Sequence, residues 1–316
     1  MTNVLVTGGA GFIGSHIVEG MVKRGIRTRV LDDFSTGRRE NLEGIEGIEI
    51  IEADIRDYDA LRAAMEGIEI VFHHAALASV SASVKDPVLS NSVNLDGTVK
   101  VLSAAKDAGV KKVVYAGSSS AYGDTPAQPK VESMREQPIS PYAVNKTAGE
   151  KYCNVFSRIY GLETVVLRYF NVFGPRQDPS SHYSGVISLF VQKLLDGQRP
   201  IIYGDGEQTR DFVYVGNVVM ANIFASVSRI GGGEVFNVAT GEKVSINQIL
   251  GIIMELLDIK DVKPIYREHR KGDLKHSLAD IGKAQQAFGY WPVIGLREGL
   301  KRTIDWYKNL KTNQKD

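Results

Sequence analysis

The chain has 316 residues, of which 43% are apolar and 24% are charged, and its formal net charge is +1. This is the composition of an ordinary globular protein with a large core, and the near-zero charge gives no sign of a nucleic-acid or membrane surface. The single cysteine, Cys153, excludes an intramolecular disulfide framework and any multi-cysteine metal site.

The first half of the chain alternates short runs rich in Val and Ile with helical patterns. It opens directly on a strand, with no charged leader before it and no apolar run of the ~20 residues that span a bilayer, so we expect a cytoplasmic protein. Helices are predicted over residues 12–24, 57–66, 87–108 and 142–160. The predicted strands are "NVLVTG", "RTRVLDD", "IEIIEAD", "EIVFHHA", "KKVVYAGS" and "ETVVLRYF". Apolar strands that alternate with helices predict a parallel sheet with right-handed crossovers.

Beyond residue 170 the alternation loosens. Helical patterns appear in "VISLFVQKLLDG", "INQILGIIMELLD" and "GLREGLKRTIDWYKNL", and short strands in "RPIIYG", "DFVYV" and "EVFNVAT". We therefore predict an α/β protein: a Rossmann-type doubly wound parallel sheet with a smaller α/β substrate-binding lobe. The expected cofactor domain is 1–170 with returning segments at about 211–240, and the expected substrate lobe is 171–210 with 241–316.

A glycine loop follows the first predicted strand. In "VTGGAGFIGSH", Gly8, Gly11 and Gly14 recur at three-residue spacing, and the loop runs into a helix that starts with Phe12 and Ile13. Glycines allow the backbone to approach a pyrophosphate, which the free N–H groups of the helix N-terminus then bind. The order strand, loop, helix makes this pattern typical of a dinucleotide site.

Acidic residues end the second and third predicted strands. Asp32 lies 18 residues beyond Gly14, about the spacing at which an acid binds the adenosine ribose hydroxyls. Asp33 adds a second charge that repels the 2′-phosphate of NADP, so NAD is favoured, although Arg38 and Arg39 could pair with such a phosphate. The alternative for the two acids is a solvated turn. Asp54, which Ile55 follows, either meets the adenine edge or caps the next helix.

A third pattern points to proton transfer. Ser118, Ser119 and Ser120 follow the fifth predicted strand, at the edge of a parallel sheet where ligands bind. Tyr142 starts the next helix 24 residues after Ser118, and Lys146 shares its helical face. A free Tyr has a pKa near ~10. The Lys146 ammonium and a cationic nicotinamide both favour the phenolate, so we expect a lowered pKa that lets Tyr142 act as base and acid.

These patterns together resemble one family nearly end to end. The chain is similar to extended short-chain dehydrogenases/reductases, specifically to nucleotide-sugar 4-epimerases of the UDP-glucose/UDP-N-acetylglucosamine kind. The resemblance rests on "TGGAGFIGSH", "HHAALASV", "NSVNLDGT", "SSSAYGD", "SPYAVNK", "RYFNVFGPRQ", "TRDFVYV" and "RKGDLKHSLAD".

The resemblance implies roles for specific residues. It makes Ser118, Tyr142 and Lys146 the catalytic set. It places Ala75, Ala76 and Asn94 beside the cofactor, in addition to the residues of the glycine loop and the three strand-end acids. It assigns Asn171, Arg210, Arg270 and Asp273 to the UDP moiety, and the predicted substrate set also includes Ser79, Ser118, Ser119, Ser120, Tyr142 and Ser277. An isolated Arg210–Asp211 pair would otherwise be a surface ion pair. No metal site is expected, since His73 and His74 lack metal-ligand spacing and are interpreted as packing or cofactor-wall residues.

The implied activity is C4 epimerisation of a UDP-hexose with tightly bound NAD. Hydride passes from C4 to NAD⁺ while Tyr142 takes the proton of the 4-hydroxyl. The transient 4-keto sugar then rotates, so that hydride returns to its opposite face and Tyr142 returns the proton. Related 4,6-dehydratases carry an Asp–Glu pair, and decarboxylases a Glu, where this chain has Ser119 and Ser120. A non-catalytic NAD-sensing protein typically loses the Tyr or the Lys. The resemblance also implies a homodimer through a four-helix bundle of residues 87–108 and 142–160, and the small Ser277 predicts room for an acetamido group at C2.

Overall fold

The structure, a computed structural model, describes residues 2–178, 185–269 and 275–313. Its strands are β1 Asn3–Thr7, β2 Arg27–Asp32, β3 Ile48–Glu52, β4 Ile70–His73, β5 Lys112–Ser118, β6 Glu163–Tyr169, β7 Asn171–Phe173, β8 Ile201–Tyr203, β9 Thr209–Arg210, β10 Phe212–Tyr214, β11 Glu234–Val238, β12 Val244–Ser245 and β13 Ile265–Arg267. Its helices are α1 Phe12–Val22, α2 Tyr58–Ala64, α3 Val80–Lys85, α4 Pro87–Asn91, α5 Gly97–Asp107, α6 Pro141–Tyr160, α7 Val186–Leu195, α8 Val215–Val227, α9 Ile246–Leu256, α10 Gly282–Phe288 and α11 Leu296–Asn313.

Seven strands form one sheet in the order β11-β6-β5-β4-β1-β2-β3. Every pair is parallel, which confirms the predicted doubly wound sheet. The strand order reverses beside β1, and crevices at such switch points bind ligands in open α/β sheets. The carboxyl ends of β1, β2, β4 and β5 carry Thr7, Asp32, His73 and Ser118.

Apolar side chains on both faces of this sheet explain why its strands are nearly continuous apolar runs. One face packs against α1 and α8 around Ile17, Val18, Val218 and Phe236. The other face packs against α2, α5 and α6 around Leu61, Val101, Cys153 and Phe156. Because β11 and α8 belong to the large sheet and its cover, residues after 210 return to the first half of the fold.

The predicted helix over 87–108 is not continuous. It divides into α4, a π-helical segment Ser92–Asp96 that contains Asn94, and α5. A π segment widens one turn of a helix and is frequent at functional sites. The remaining short strands pair two by two next to a third apolar cluster, built from α7, α9 and α11. Across the described ranges, no helix combines the length and the apolar character that crossing a membrane requires.

Candidate active site

The glycine loop between β1 and α1 is packed so closely that side chains do not fit. Gly8 has φ +68°, and a Cβ built on it would come within 2.5 Å of the Ala75 backbone nitrogen. A Cβ on Gly14 would come within 2.1 Å of the Gly8 carbonyl oxygen. The Gly11 N–H donates to that same oxygen at 3.1 Å. Phe12 and Ile13 start α1 directly behind the loop. The loop is therefore a cradle of backbone at a helix N-terminus, which suits a pyrophosphate.

Asp32 lies at the end of β2 beside this cradle. Its carboxylate is buried and accepts the Ala10 N–H at 2.8 Å and the Phe34 N–H at 2.9 Å. Burial raises the pKa of this carboxyl, while the two backbone hydrogen bonds lower it. A carboxylate has about four acceptor sites, so ribose hydroxyls still find acceptors there. Asp33 is exposed and binds Ser35, as expected of a solvated turn residue.

The two arginines that could read a 2′-phosphate already have carboxylate partners. Arg38 pairs with Asp178 at 2.5 Å. Arg39 pairs with Glu52 and lies 4.0 Å over the centre of the Phe34 ring. Both contacts favour NAD over NADP.

The predicted alternatives for Asp54 are resolved in part. Its carboxylate binds the Arg56 guanidinium at 2.5 to 3.0 Å and the Arg56 N–H at 2.7 Å, and the hydrogen bonds from Arg56 lower its pKa. The helix cap is instead Asp57, which accepts the Ala60 N–H, so the capping interpretation of Asp54 was wrong. Contact with an adenine stays a prediction. Ile55 is buried against Gly97.

A chain of hydrogen bonds fixes the loop after β4. The Asn94 amide accepts the Leu77 N–H at 2.7 Å and donates to the Leu77 carbonyl at 3.2 Å. Thr98 donates to the Asn94 carbonyl, so it accepts from His73 Nε2, and His73 Nδ1 accepts from Thr7. The loop therefore presents Ala75 against the glycine cradle, with the half-buried Ala76 beside it. His74 contacts Tyr169. Both histidines are held by side chains of the core, and no metal-binding cluster of His, Cys, Asp or Glu occurs among the described residues.

The predicted reacting groups meet where β5 ends and α6 begins. Ser140 caps α6 by accepting the Ala143 N–H, and Pro141 occupies its first turn, so Tyr142 is fixed at the start of the helix. The Ser118 hydroxyl is close enough to the Tyr142 phenol to lower its pKa. Ser118 in turn accepts from the Ser120 hydroxyl at 2.9 Å, and Ser119 starts the 3₁₀ turn between them.

Lys146 lies one helical turn further along α6 and is buried. Its ammonium donates to the Ala116 carbonyl oxygen at 2.9 Å and lies 4.9 Å over the centre of the Tyr115 ring. Burial lowers the pKa of this ammonium to about 8.

The expectation of a lowered tyrosine pKa is wrong for the chain's own residues. Burial raises the pKa of the Tyr142 phenol, and the hydrogen bond with Ser118 lowers it against that effect. The physical reason is that Lys146 is directed to the strand carbonyl of Ala116, whereas the sequence pattern showed a shared helical face and not the direction of the ammonium.

Several predicted substrate residues lie together around Asp211. Asn171 donates both its backbone and side-chain N–H to the Asp211 carbonyl, at 3.2 and 3.1 Å. Arg210 donates to the Thr209 carbonyl at 2.9 Å, and the Ser277 N–H donates to that same carbonyl at 3.0 Å. Asp211 is fully buried and accepts from Thr240, Gly241 and Ala279. The alternative of a surface ion pair between Arg210 and Asp211 was therefore wrong.

Four further residues were predicted to bind the substrate, and their outcomes differ. Ser79 is buried and caps α3 through Ala82. Ser277 is 7% exposed, which excludes a solvent-facing serine. Arg270 and Asp273 lie outside the described residues.

The sequence analysis missed Glu150, which is buried on the same face of α6 as Tyr142 and Lys146. Its partner is Arg168 of β6, at 2.7 Å. The spacing of four residues from Lys146 was the signal that would have identified Glu150.

The chain is similar to known proteins over nearly its whole length. A family model described as "NAD dependent epimerase/dehydratase family" matches residues 4–239. A UDP-glucose 4-epimerase of Mycolicibacterium smegmatis is 41% identical, over 96% of this chain and 98% of that protein. A UDP-N-acetylglucosamine 4-epimerase of Methanobrevibacter ruminantium, solved with UDP-N-acetylmuramic acid, has 42% identity and a TM-score of 0.94 over 98% of this chain and 99% of that one. A UDP-glucose 4-epimerase of Thermotoga maritima, solved with UDP-glucose, has 39% identity and a TM-score of 0.93 over 98% of this chain and 100% of that one.

Proposed function

Because this chain belongs to the NAD dependent epimerase/dehydratase family, we propose that it inverts C4 of a UDP-hexose through a transient 4-keto sugar. The observation that carries the proposal is the cluster of Ser118, Tyr142 and Lys146, in which the Ser118 hydroxyl lowers the pKa of the Tyr142 phenol and the Lys146 ammonium donates to the Ala116 carbonyl oxygen at 2.9 Å. The cluster lies at the carboxyl end of β5, on the same sheet edge as the glycine cradle after β1, where ligands of parallel sheets bind.

The cradle and the strand-end acids would hold NAD. Gly8, Gly11 and Gly14 leave room for a pyrophosphate, and Asp32 offers acceptors to ribose hydroxyls. When bound, NAD supplies the hydride acceptor and donor for C4 together with a positive charge beside the site. One of the three donors of the Lys146 ammonium is used by Ala116, so two remain for ribose hydroxyls.

Tyr142 is the proposed acid–base residue. Its raised pKa keeps the phenol protonated at neutral pH in this structure, which is the form that returns a proton to a keto oxygen. Removing the 4-hydroxyl proton requires the phenolate, which positive charge beside the ring stabilises. The Ser118 hydroxyl, which lies beside the phenol, would bind the reacting oxygen of the sugar and hold it next to Tyr142.

The UDP moiety would be held by the second lobe. Asn171 at the start of β7 and Arg210 at the end of β9 lie around the buried Asp211, and we assign Arg270 and Asp273 to the same ligand from the sequence. Arginine binds diphosphate oxygens with a forked set of donors. We keep the division predicted from the sequence as part of this proposal: residues 1–170 with about 211–240 would bind the cofactor, and 171–210 with 241–316 would bind the UDP-sugar.

We further propose that the enzyme accepts both the UDP-GlcNAc/UDP-GalNAc and the UDP-Glc/UDP-Gal pairs. Ser277 is small and buried beside the Thr209 carbonyl, one residue before Arg210. A hydroxymethyl side chain there leaves space that a large aromatic ring would fill. The similar structure from Methanobrevibacter ruminantium is named a UDP-N-acetylglucosamine 4-epimerase, which supports an acetylated substrate for this chain.

A homodimer is the proposed assembly. The outer face of α6 carries apolar side chains at helical spacing, and α4 continues it; the exposed members are Val88, Val144, Tyr152, Val155 and Ile159. An apolar stripe of this kind on two neighbouring helices is suited to a two-fold four-helix bundle, the symmetry of most oligomers.

The test is incubation of the purified protein with UDP-glucose, UDP-N-acetylglucosamine and UDP-glucuronate separately, with products identified by NMR. The expected result is the C4 epimer of the first two. A 4-keto-6-deoxy or decarboxylated product would favour the dehydratase or decarboxylase alternatives. Protein that binds NAD but converts no UDP-sugar would overturn the enzyme proposal in favour of an NAD-sensing role.

A further inference from the structure

The buried face of α6 continues one turn beyond the proposed catalytic residues. Tyr142, Lys146 and Glu150 occupy i, i+4 and i+8, so their side chains lie in one row. Glu150 is fully enclosed between α6 and the sheet. Unpaired buried carboxylates are strongly unfavourable. A carboxylate at this place therefore needs a positively charged partner.

The partner is the guanidinium of Arg168. Its Nε contacts both Glu150 oxygens at 3.0 and 3.2 Å, and its Nη2 contacts Oε2 at 2.7 Å. Both side chains are 1% exposed. Arg168 also reaches Glu136 at 3.1 Å and lies 4.7 Å over the centre of the Tyr122 ring. Burial raises the pKa of the Glu150 carboxyl, and the hydrogen bonds and charge of Arg168 lower it against that effect. The bidentate N–H bonds from the guanidinium favour the ionised carboxylate and fix its direction.

The same carboxylate lies against the end of β5. A Cβ added to Gly117 would come within 3.0 Å of Glu150 Oε1. Gly117 stands between Ala116, whose carbonyl binds the Lys146 ammonium, and Ser118. Glu150 therefore occupies the space directly behind the strand residues that hold the ammonium and the reacting hydroxyl.

The other titratable groups that face Lys146 are neutral. From β4, burial lowers the pKa of His73 well below its usual value and that of His74 to about 3. From β5, burial raises the pKa of Tyr115 well above its usual value, and on α6 burial raises the pKa of the Cys153 thiol. Burial lowers the pKa of Lys146 to about 8, and the Glu150 carboxylate raises it against that effect.

We propose that Glu150, held in place by Arg168, is a positioning residue that keeps the Lys146 ammonium charged and directed at the Ala116 carbonyl. A buried amine without an opposite charge loses its proton, because the low-dielectric interior disfavours the cation. Glu150 supplies that charge from outside the ligand cleft, where it does not compete with substrate or cofactor for the donors of Lys146. The inference rests on the proposed function for the role of Lys146 in the reaction, but not for its charge.

The charge of Lys146 can be measured without turnover. The protein is produced with lysine that carries ¹³C at Cε and is studied as purified. The Lys146 resonance is the one that disappears in Lys146→Met. We expect the wild-type resonance to titrate near pH 8, in line with the pKa of about 8. In Glu150→Gln we expect the midpoint of the Lys146 titration to lie at least about 0.5 pH units below that of the wild type. In Glu150→Asp, which keeps the charge, it stays closer to wild type.

Glu132→Gln is the matched control. Glu132 is a half-buried carboxylate outside α6, and it accepts the Asn237 N–H at 2.7 Å. Its replacement leaves the Lys146 midpoint unchanged. Should Glu150→Gln not fold because Arg168 is left unpaired, the double variant Glu150→Gln with Arg168→Met removes both charges and is expected to fold. It shows the same lower midpoint.

An unchanged midpoint in a folded variant lacking the Glu150 charge overturns the inference, since a purely structural residue would reduce stability without moving the titration. Turnover of UDP-sugars is measured separately as a function of pH. We expect the fall in turnover at alkaline pH to have the same midpoint as the NMR titration of Lys146. A shifted midpoint in a protein that converts no UDP-sugar refutes the proposed function and supports the positioning role. Turnover with an unshifted midpoint supports the function and refutes the role.

Discussion

The Lys146 ammonium donates to the Ala116 carbonyl oxygen at 2.9 Å, and Ala116 is two residues before Ser118. The hydrogen bond joins helix α6, which carries Tyr142, to the end of strand β5, which carries Ser118. The scaffold is therefore held by the lysine and by the Glu150–Arg168 pair, not by the phenol. Removing the phenolic oxygen of Tyr142 should therefore reduce activity without unfolding the protein.

Tyr142→Phe is expected to reduce kcat on UDP-sugars by at least ~100-fold, the lower range for a positioned proton-transfer group. Its melting temperature should stay close to wild type. The matched control is Tyr160→Phe, because Tyr160 lies at the exposed C-terminal end of the same helix and should keep full turnover. Near-wild-type turnover of Tyr142→Phe would contradict the mechanism.

The glycine cradle gives a second prediction. Gly14→Ala places a methyl group within 2.1 Å of the Gly8 carbonyl oxygen, a backbone atom that cannot move without opening the loop. We expect purified Gly14→Ala to retain less than a tenth of the NAD carried by wild type, measured by absorbance after the protein is denatured. Gly251→Ala is the control, since nothing lies within 4 Å of its added Cβ. In α9 that substitution should stabilise the fold by about 1 kcal/mol. Equal NAD content in both variants would mean that the loop does not bind the pyrophosphate.

The parts of the structure that the sequence revealed are those with a repeating physical signal. Six apolar strands separated by helical patterns were sufficient to predict the parallel sheet, and Asp32 could be placed from its distance to Gly14. Two-residue strands such as β9 and β12 are too short to show a period, and they depend on pairing with distant segments. The π segment around Asn94 has no sequence signal that distinguishes it from an ordinary helix.

The direction of side chains was the second feature that could not be predicted from the sequence. Helical spacing placed Tyr142 and Lys146 on one face, but it showed neither the direction of the ammonium toward Ala116 nor the burial that raises the pKa of the phenol. The partner of Glu150 lies on another element, so the charge pair could not be read from α6. Asp54 and Asp57 both precede α2, and hydrogen-bond geometry decides which of them caps it.

The proposed dimer predicts a particle of twice 34.6 kDa, the mass of the single chain, in light scattering at micromolar concentration. Val155→Glu places a charge in the middle of the exposed apolar stripe of α6 and should give particles of single-chain mass, because burying an unpaired carboxylate is unfavourable. Val227→Glu is the control: Val227 is 74% exposed at the end of α8, away from that stripe. Wild-type protein at single-chain mass would refute the dimer.

The half-buried His16 predicts acid sensitivity. His16 on α1 contacts the Pro175 carbonyl oxygen at 2.9 Å, and burial lowers its pKa from 6.5 to about 4. The unfolded chain therefore binds more protons than the folded protein between these values. The contribution to stability is complete above pH 6.5 and is lost as the pH falls through about 4. It is on the order of 3 kcal/mol.

Urea unfolding at pH 7.5 and pH 4.5 measures this loss. His16→Gln, which keeps a donor for the Pro175 carbonyl but does not titrate in this range, should lose less stability than wild type between the two pH values. His276→Gln should lose as much as wild type, because His276 is exposed in the folded protein. A wild-type loss that His16→Gln does not reduce would assign the acid sensitivity to other groups.

The last prediction concerns the sugar. Ser277 is 7% exposed, and its N–H binds the Thr209 carbonyl beside Arg210. A tyrosine there has to occupy the space that we assign to the C2 substituent. Overlap with an acetyl group is a steric block, which discriminates between substrates more strongly than the loss of one hydrogen bond. Ser277→Tyr should therefore abolish turnover of UDP-N-acetylglucosamine and spare UDP-glucose. His276→Tyr, which places the same ring at the neighbouring exposed position, should spare both. Equal loss of both substrates in Ser277→Tyr, or loss of neither, would show that Ser277 does not control the C2 pocket, because only a contact with the acetyl group separates the two substrates.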